Sequence, residues 1–313
     1  MIRTRIRDFI VTDEDWIFAV ADYTHPDGVR SILRYMPDTA GERVKNGVRY
    51  RKLDFDDAYQ FMREERPEWL EDVHIVPFDA VREVLNPVKR VPELMKANQR
   101  VGWIVQVLHD GGVPLDKMGI TGSHLPGLNN ESSDIDFIVY GRSWFRARDL
   151  IAMAKKNEGI IHEINDEIWH RIYDKRAPAI SFEEFLSHEI RKGNRGMVKG
   201  TYFDLLYTRD WDEIAPLQCG IDLERKQIEA IVTNADYAFD APAIYKVEHD
   251  EIEYVLSYTH TYVGQALPGE RIEARGMIEE IDGDGAKRLV VGTSREPGDE
   301  WIRSLTLLEK ETK

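Results

Sequence analysis

Apolar residues change their spacing along this chain, and each change marks an expected element. Trp16 to Tyr23 and Gly28 to Tyr35 read as strands, with the turn sequence His25-Pro26-Asp27-Gly28 between them. Val48 to Leu53 alternates apolar with basic residues, as a half-buried strand does. From Asp54 to Arg66 the period becomes helical, with Tyr59, Phe61 and Met62 among acids, and Pro67 ends it. Asn86-Pro87 and Val91-Pro92 punctuate the next segment, because a residue before proline is pushed out of helix. Glu93 to Leu108 then sets Leu94, Ala97, Val101, Ile104, Val105 and Leu108 on one helical stripe, which Asp110-Gly111-Gly112 stops.

The middle of the chain continues with a short strand, Lys117 to Thr121, a glycine-serine turn, and an apolar run from Ile135 to Tyr140. Ser143 is placed to cap a helix carrying Trp144, Ala147, Leu150, Ile151 and Ala154, which Asn157-Glu158-Gly159 closes. Ile161, Ile164, Ile168 and Ile172 repeat at three and four, which predicts a further helix. Ser181-x-x-Glu184 is a capping-box pattern ahead of Phe182, Phe185, Leu186 and Ile190. A basic stretch, Arg191 to Lys199, leads into the strand Thr201 to Tyr207. From Trp211 the pattern is that of strands: Gln227 to Thr233, Ala243 to Val247, Ile252 to Tyr258, Arg271 to Ile278 and Lys287 to Gly292. The turns Pro268-Gly269-Glu270 and Asp282-Gly283-Asp284-Gly285 separate the last of them, so this end predicts a small barrel or sandwich. The fold class is α+β. An N-terminal α+β module spans 1–85, a central domain 86–210, and a β-rich domain 211–313.

Two pieces of unusual chemistry meet between Gly119 and Gly141. Aspartate is depleted in strands, yet Asp134 opens the Ile135–Tyr140 run and Asp136 lies inside it. Strand residues two apart face the same side, about 6.6–6.8 Å apart along the chain, so the two carboxylates stand side by side. Paired carboxylates repel unless a cation lies between them, and hard divalent ions take oxygen ligands. Just upstream, Gly122-Ser123 and then Gly127 expose backbone N–H groups with little side chain in the way, which suits phosphate. Together they predict a nucleotide site.

The block Gly122-Ser123-x-x-x-Gly127, six further residues, then Asp134-Ile135-Asp136, resembles the signature of the polymerase-beta-like nucleotidyltransferase superfamily, Ser133 included. The match departs at His124, Leu125 and Pro126, where many relatives have a small residue and an arginine. The resemblance covers about the middle third of the chain and implies a central mixed sheet with helices. It implies transfer of an NMP from an NTP to an acceptor hydroxyl, with release of pyrophosphate. Mg²⁺ is the implied cofactor, as two ions, with Mn²⁺ as the alternative. Asp134 and Asp136 would be the first two metal ligands. A third carboxylate is expected from a later strand, and Asp204, the lone charge in Thr201–Tyr207, repeats the anomaly of Asp136. Gly122, Ser123, Gly127 and Ser133 would bind the nucleotide, and Arg191, Lys192 and Arg195 are read as a mobile basic loop over the triphosphate. An RNA end, a protein hydroxyl or a small molecule all fit as acceptor.

Charge refines this picture. The net charge of −15 is uneven: residues 208–313 carry 12 basic and 23 acidic side chains, whereas 86–207 are close to neutral. An acidic surface repels phosphate backbones and argues against tight, sequence-independent nucleic-acid binding by the whole chain. The single cysteine, Cys219, excludes an internal disulfide framework. No apolar run approaches a membrane span and MIRTRIRDF lacks the core of a signal peptide, so a cytoplasmic protein without membrane contact is expected. The nine histidines show no zinc spacing, and no P-loop glycine-lysine motif occurs. The alternative from another class is a catalytically silent nucleotidyltransferase-fold module that holds a partner, as antitoxins do.

Overall fold

The computed structural model describes residues 2–157, 159–218, 220–281, 285–292 and 298–311. Cys219, Glu158 and the turn residues Asp282, Gly283 and Asp284 lie outside them. The chain forms two compact units, Met1–His162 with Gly196–Pro216, and Glu163–Arg195 with Leu217–Lys313. The boundary expected near residue 85 falls inside the first unit.

That unit contains two sheets. The N-terminal one is antiparallel, in the order Arg43–Lys45, Val48–Lys52, Val29–Pro37, Ile17–Val20, Phe9–Thr12, Val81–Leu85, with His74–Val76 also beside Val29–Pro37. The helix Phe55–Glu65 starts where Asp54 accepts a hydrogen bond from the Asp57 amide, and it buries Ala58 and Met62. Phe18, Leu33 and Trp69 join Met62 in one core cluster.

The second sheet runs Ile161–His162, Arg195–Val198, Thr201–Thr208, Ile135–Tyr140, Met118–Ile120. Ile135–Tyr140 is parallel to Thr201–Thr208 and antiparallel to Met118–Ile120, so the sheet is mixed. Two expectations around it need correction. The stripe from Glu93 to Leu108 is not one helix but parts of two, Pro87–Ala97 and Gln99–Asp110. Asn98 divides them: its side chain accepts from the Arg100 and Val101 amides and caps the second helix. Pro87 sits in the first turn, where its missing N–H costs nothing, and Pro92 lies inside the helix it was expected to precede. The isoleucine repeat from Ile161 is likewise split. Ile161–His162 is a strand, and the helix is Asp166–Arg176, begun by Asn165 capping the Ile168 amide. Ser143 is the first residue of the helix Ser143–Lys156 and makes no cap bond.

The second unit holds the helices Asp166–Arg176 and Phe182–Lys192, the latter opened by the expected Ser181/Glu184 capping box. Its sheet is organised by the 18-residue strand Gly220–Tyr237. The first part of that strand pairs with Arg271–Ile281 and its end with Ala243–Glu248. Ala243–Glu248, Ile252–Ser257, Lys287–Val291 and Arg271–Ile281 continue the order until it returns to the first strand. The pairing closes on itself, which makes a barrel rather than a sandwich. Trp301–Ser304 adds a strand and Leu305–Glu311 a terminal helix, neither evident in the residue pattern. The chain is thus mixed α+β. Among the described residues no helix is long and apolar enough to cross a membrane.

Candidate active site

Three buried residues, Met118–Ile120, pair against Phe137 to Val139 and bring the chain to its glycine-serine turn. Thr121 continues the ladder, its amide donating to the Asp136 carbonyl at 3.0 Å. Gly122 to His124 then form a single tight turn with Gly122 at φ +63°, a left-handed conformation that favours glycine. Space is the second constraint. A Cβ on Gly122 would sit 2.0 Å from Asp136 Oδ2. The turn and the carboxylate therefore occupy one place, and only a residue without a side chain allows it. Gly127, also left-handed at φ +73°, lets the loop turn back, and the Leu128 amide donates to the Ser123 carbonyl at 2.9 Å.

The parallel pairing sets Asp204 directly opposite Asp136, with Phe203 opposite Ile135. Asp134, two residues before Asp136, precedes the strand. The three differ in depth: Asp134 is exposed, Asp136 half-buried and Asp204 buried. Burial first, then the charges of Asp204 and Asp134, push the Asp136 pKa up to about 6, while Arg7 and Lys52 pull it down. Asp204 Oδ2 also accepts from the Tyr202 hydroxyl at 3.2 Å. The carboxyl groups are neighbours but do not converge on one point. Among the described residues no group of three or more His, Cys, Asp or Glu side chains is arranged to hold a metal ion. The donor set itself, all carboxylate oxygen, has the chemistry of a hard divalent cation's ligands.

Ser133 lies where the spacing put it, but its hydroxyl is engaged in the loop. It accepts from the Asn130 amide at 2.9 Å and from Arg43 at 3.2 Å. The basic stretch needs a larger correction. Arg191, Lys192 and Arg195 belong to the second unit, and their charges are engaged there. Arg191 donates to both oxygens of Glu270, at 2.7 and 2.8 Å. Buried Lys192 donates to Glu189 at 2.6 Å and to the Thr261 carbonyl at 2.7 Å, and buried Arg195 pairs with Glu189 as well. The stretch is not a mobile loop: Arg191 and Lys192 end a helix, Gly193 caps it, and Arg195 begins a strand.

Cations near the carboxylates come instead from the N-terminal sheet, whose composition carries no catalytic signature. Arg7 has a left-handed backbone, φ +75°, and its carbonyl accepts from the Thr121 hydroxyl at 2.7 Å. Its guanidinium donates to the Tyr207 carbonyl at 2.8 Å. One residue thus ties the start of the glycine-serine turn to the end of the Asp204 strand. Lys52 sits on Val48–Lys52, opposite Tyr35, and acts on Asp136 with Arg7. The apolar and basic alternation of Val48 to Leu53 was the available signal.

A fold with a mixed sheet, a glycine-serine turn against a strand-borne carboxylate, and a further aspartate in register defines a class. A model of the nucleotidyltransferase domain matches residues 105–189. The chain belongs to the polymerase-beta-like nucleotidyltransferase superfamily. It is 38% identical to uncharacterized protein MJ1086 of Methanocaldococcus jannaschii over 338 aligned residues, covering 96% of this chain and 99% of that one. No solved structure matches it. The matched segment ends before Asp204, whose position follows from strand register alone.

Proposed function

We propose that this protein is a metal-dependent nucleotidyltransferase that moves an NMP from an NTP to an acceptor hydroxyl and releases pyrophosphate. The observation that carries the reading is the shared place of Gly122 and Asp136 with Asp204 in register beside them. Such an arrangement brings a glycine-serine turn beside two strand-borne carboxylates, with a third just ahead of the strand. Asp134, Asp136 and Asp204 would hold the cations, Mg²⁺ with Mn²⁺ as the alternative. When bound, these supply charge neutralisation for the attacking oxygen and the departing pyrophosphate. Gly122 and Ser123 would bind triphosphate oxygens through backbone N–H and hydroxyl. Arg7 and Lys52 take the positive role that the residue pattern assigns to the Arg191–Arg195 stretch, because their charges act on Asp136. The acceptor oxygen forms its bond to the α-phosphorus as the bond to the β-phosphate breaks, and Asp204 is assigned to the acceptor side.

The absence of a ready-made metal cluster among the described residues favours one second reading, a silent member of the fold that serves as a binding module. Calorimetry with ATP, CTP, GTP and UTP separates the two. A transferase binds at least one of them only when Mg²⁺ is present; a scaffold shows no metal-dependent binding. Incubation with radiolabelled NTPs and cellular RNA or protein then reports the acceptor class.

A further inference from the structure

Within the first unit, a pocket of about 310 Å³ borders both the glycine-serine turn and the carboxylate strand. Ser133 and Ile135, on either side of Asp134, form part of its wall, and so does His124, the residue after Ser123. His124 is 2% exposed, and neither ring nitrogen has a hydrogen-bond partner among the described residues. An imidazole ring offers a donor and, when neutral, an acceptor as well. A buried polar ring without partners calls for something to bind it.

Two charged side chains share the wall. Arg100 comes from the start of the helix Gln99–Asp110, and Glu131 from the loop before Asp134. Arg100 is half-buried and Glu131 exposed, and among the described residues neither makes an ion pair or a hydrogen bond through its side chain. A guanidinium and a carboxylate in the wall of one pocket suit a ligand with acceptors along one edge and a donor along another. Guanine has that pattern in the form a guanidinium grips with two bonds, with the adjacent acceptors O6 and N7 and a donor at its 2-amino group. Adenine puts an amino group where guanine has O6, and pyrimidines lack N7.

We infer that this pocket receives the base of the nucleotide and is built for guanine, with Arg100 donating to O6 and N7 and Glu131 accepting from the 2-amino group. The His124 ring supplies a hydrogen-bonding nitrogen to the same base, and Ile135 gives it an apolar surface. The inference rests on the nucleotidyl-transfer reading, and the test keeps the two apart. Calorimetry on the full chain with Mg²⁺ would use the four NTPs and inorganic tripolyphosphate, which has no base. GTP should bind at least about tenfold tighter than the other three, since one bidentate base contact discriminates by roughly that much. Arg100→Gln and Glu131→Gln should each lower GTP affinity about 10- to 100-fold and leave tripolyphosphate affinity unchanged. Equal binding of all four NTPs overturns the guanine pocket while the transfer reading stands. Equal weakening of tripolyphosphate and GTP by Arg100→Gln overturns it too, because the pocket would then hold phosphate. If neither tripolyphosphate nor any NTP binds, the transfer reading fails and takes this inference with it.

Discussion

Two regions of this protein bury charge, and they do so in opposite ways. In the first unit, Asp136 is set beside Asp134 and Asp204, and burial first, then their charges, push its pKa up to about 6. In the second, Glu189 is buried among Arg176, Lys192 and Arg195, so each charge has an opposite beside it. The second arrangement is complete without any ligand and holds a helix end and a strand start in place. Under the proposed function the first is where an added cation would bind, since it would offset the charges of the three carboxylates. Stored repulsion marks the site; satisfied charge marks the scaffold.

The comparison breaks most readily at the acids. Asp134→Asn with Asp136→Asn should abolish Mg²⁺-dependent NTP binding, and transfer with it, while circular dichroism and the melting temperature stay unchanged or rise. Removing repelling carboxylates relieves the folded state, so a clear loss of stability would show that the crowding is structural. Asp204→Ala should lower turnover far more than NTP affinity; equal losses would move Asp204 away from the acceptor side.

Gly122→Val comes next. The new side chain meets Asp136 Oδ2 and adopts a left-handed backbone poorly, so activity should fall below detection. Ser123→Ala removes only a hydroxyl and should reduce turnover about 10- to 100-fold. A Gly122→Val enzyme with normal rates would place the triphosphate elsewhere. On the other side of the comparison, Glu189→Gln leaves three cations without their carboxylate and should cost about 3–5 kcal/mol in urea unfolding. Its NTP affinity should match that of the parent; a selective loss of affinity with stability intact would return the basic stretch to the site.

The smallest effect is on pH. The folded Asp136 carboxyl titrates near 6, against 3.8 for an ordinary one, so the folded state holds the proton more tightly. Stability therefore declines as pH rises from about 4 to about 6, and the penalty is full above that. A divalent cation requires the deprotonated form, so Mg²⁺ affinity should weaken as pH falls below about 6. Flat Mg²⁺ affinity between pH 5 and 7 would remove Asp136 from the metal ligands.

What the sequence determined was chemistry carried by neighbours in the chain. Gly122, Ser123, Asp134 and Asp136 lie within fifteen residues, and backbone geometry alone sets how close they stand. The anomaly of one aspartate in Thr201–Tyr207 pointed to Asp204, but only the parallel register placed it opposite Asp136. The basic stretch was visible as charge and misjudged as function, because a sequence shows charges without their partners. Glu270 is 79 residues from Arg191, while Glu189, three before Lys192 on the same helix, could have been noticed. Helix breaks at Asn98 and Asn165 were local and still missed, since an apolar period continues across a cap that costs it one residue. Only tertiary structure brought Arg7 and Lys52 to the carboxylates and closed the long Gly220–Tyr237 strand into a barrel. Those contacts join distant segments, and their strength depends on burial and distance, which no residue pattern contains.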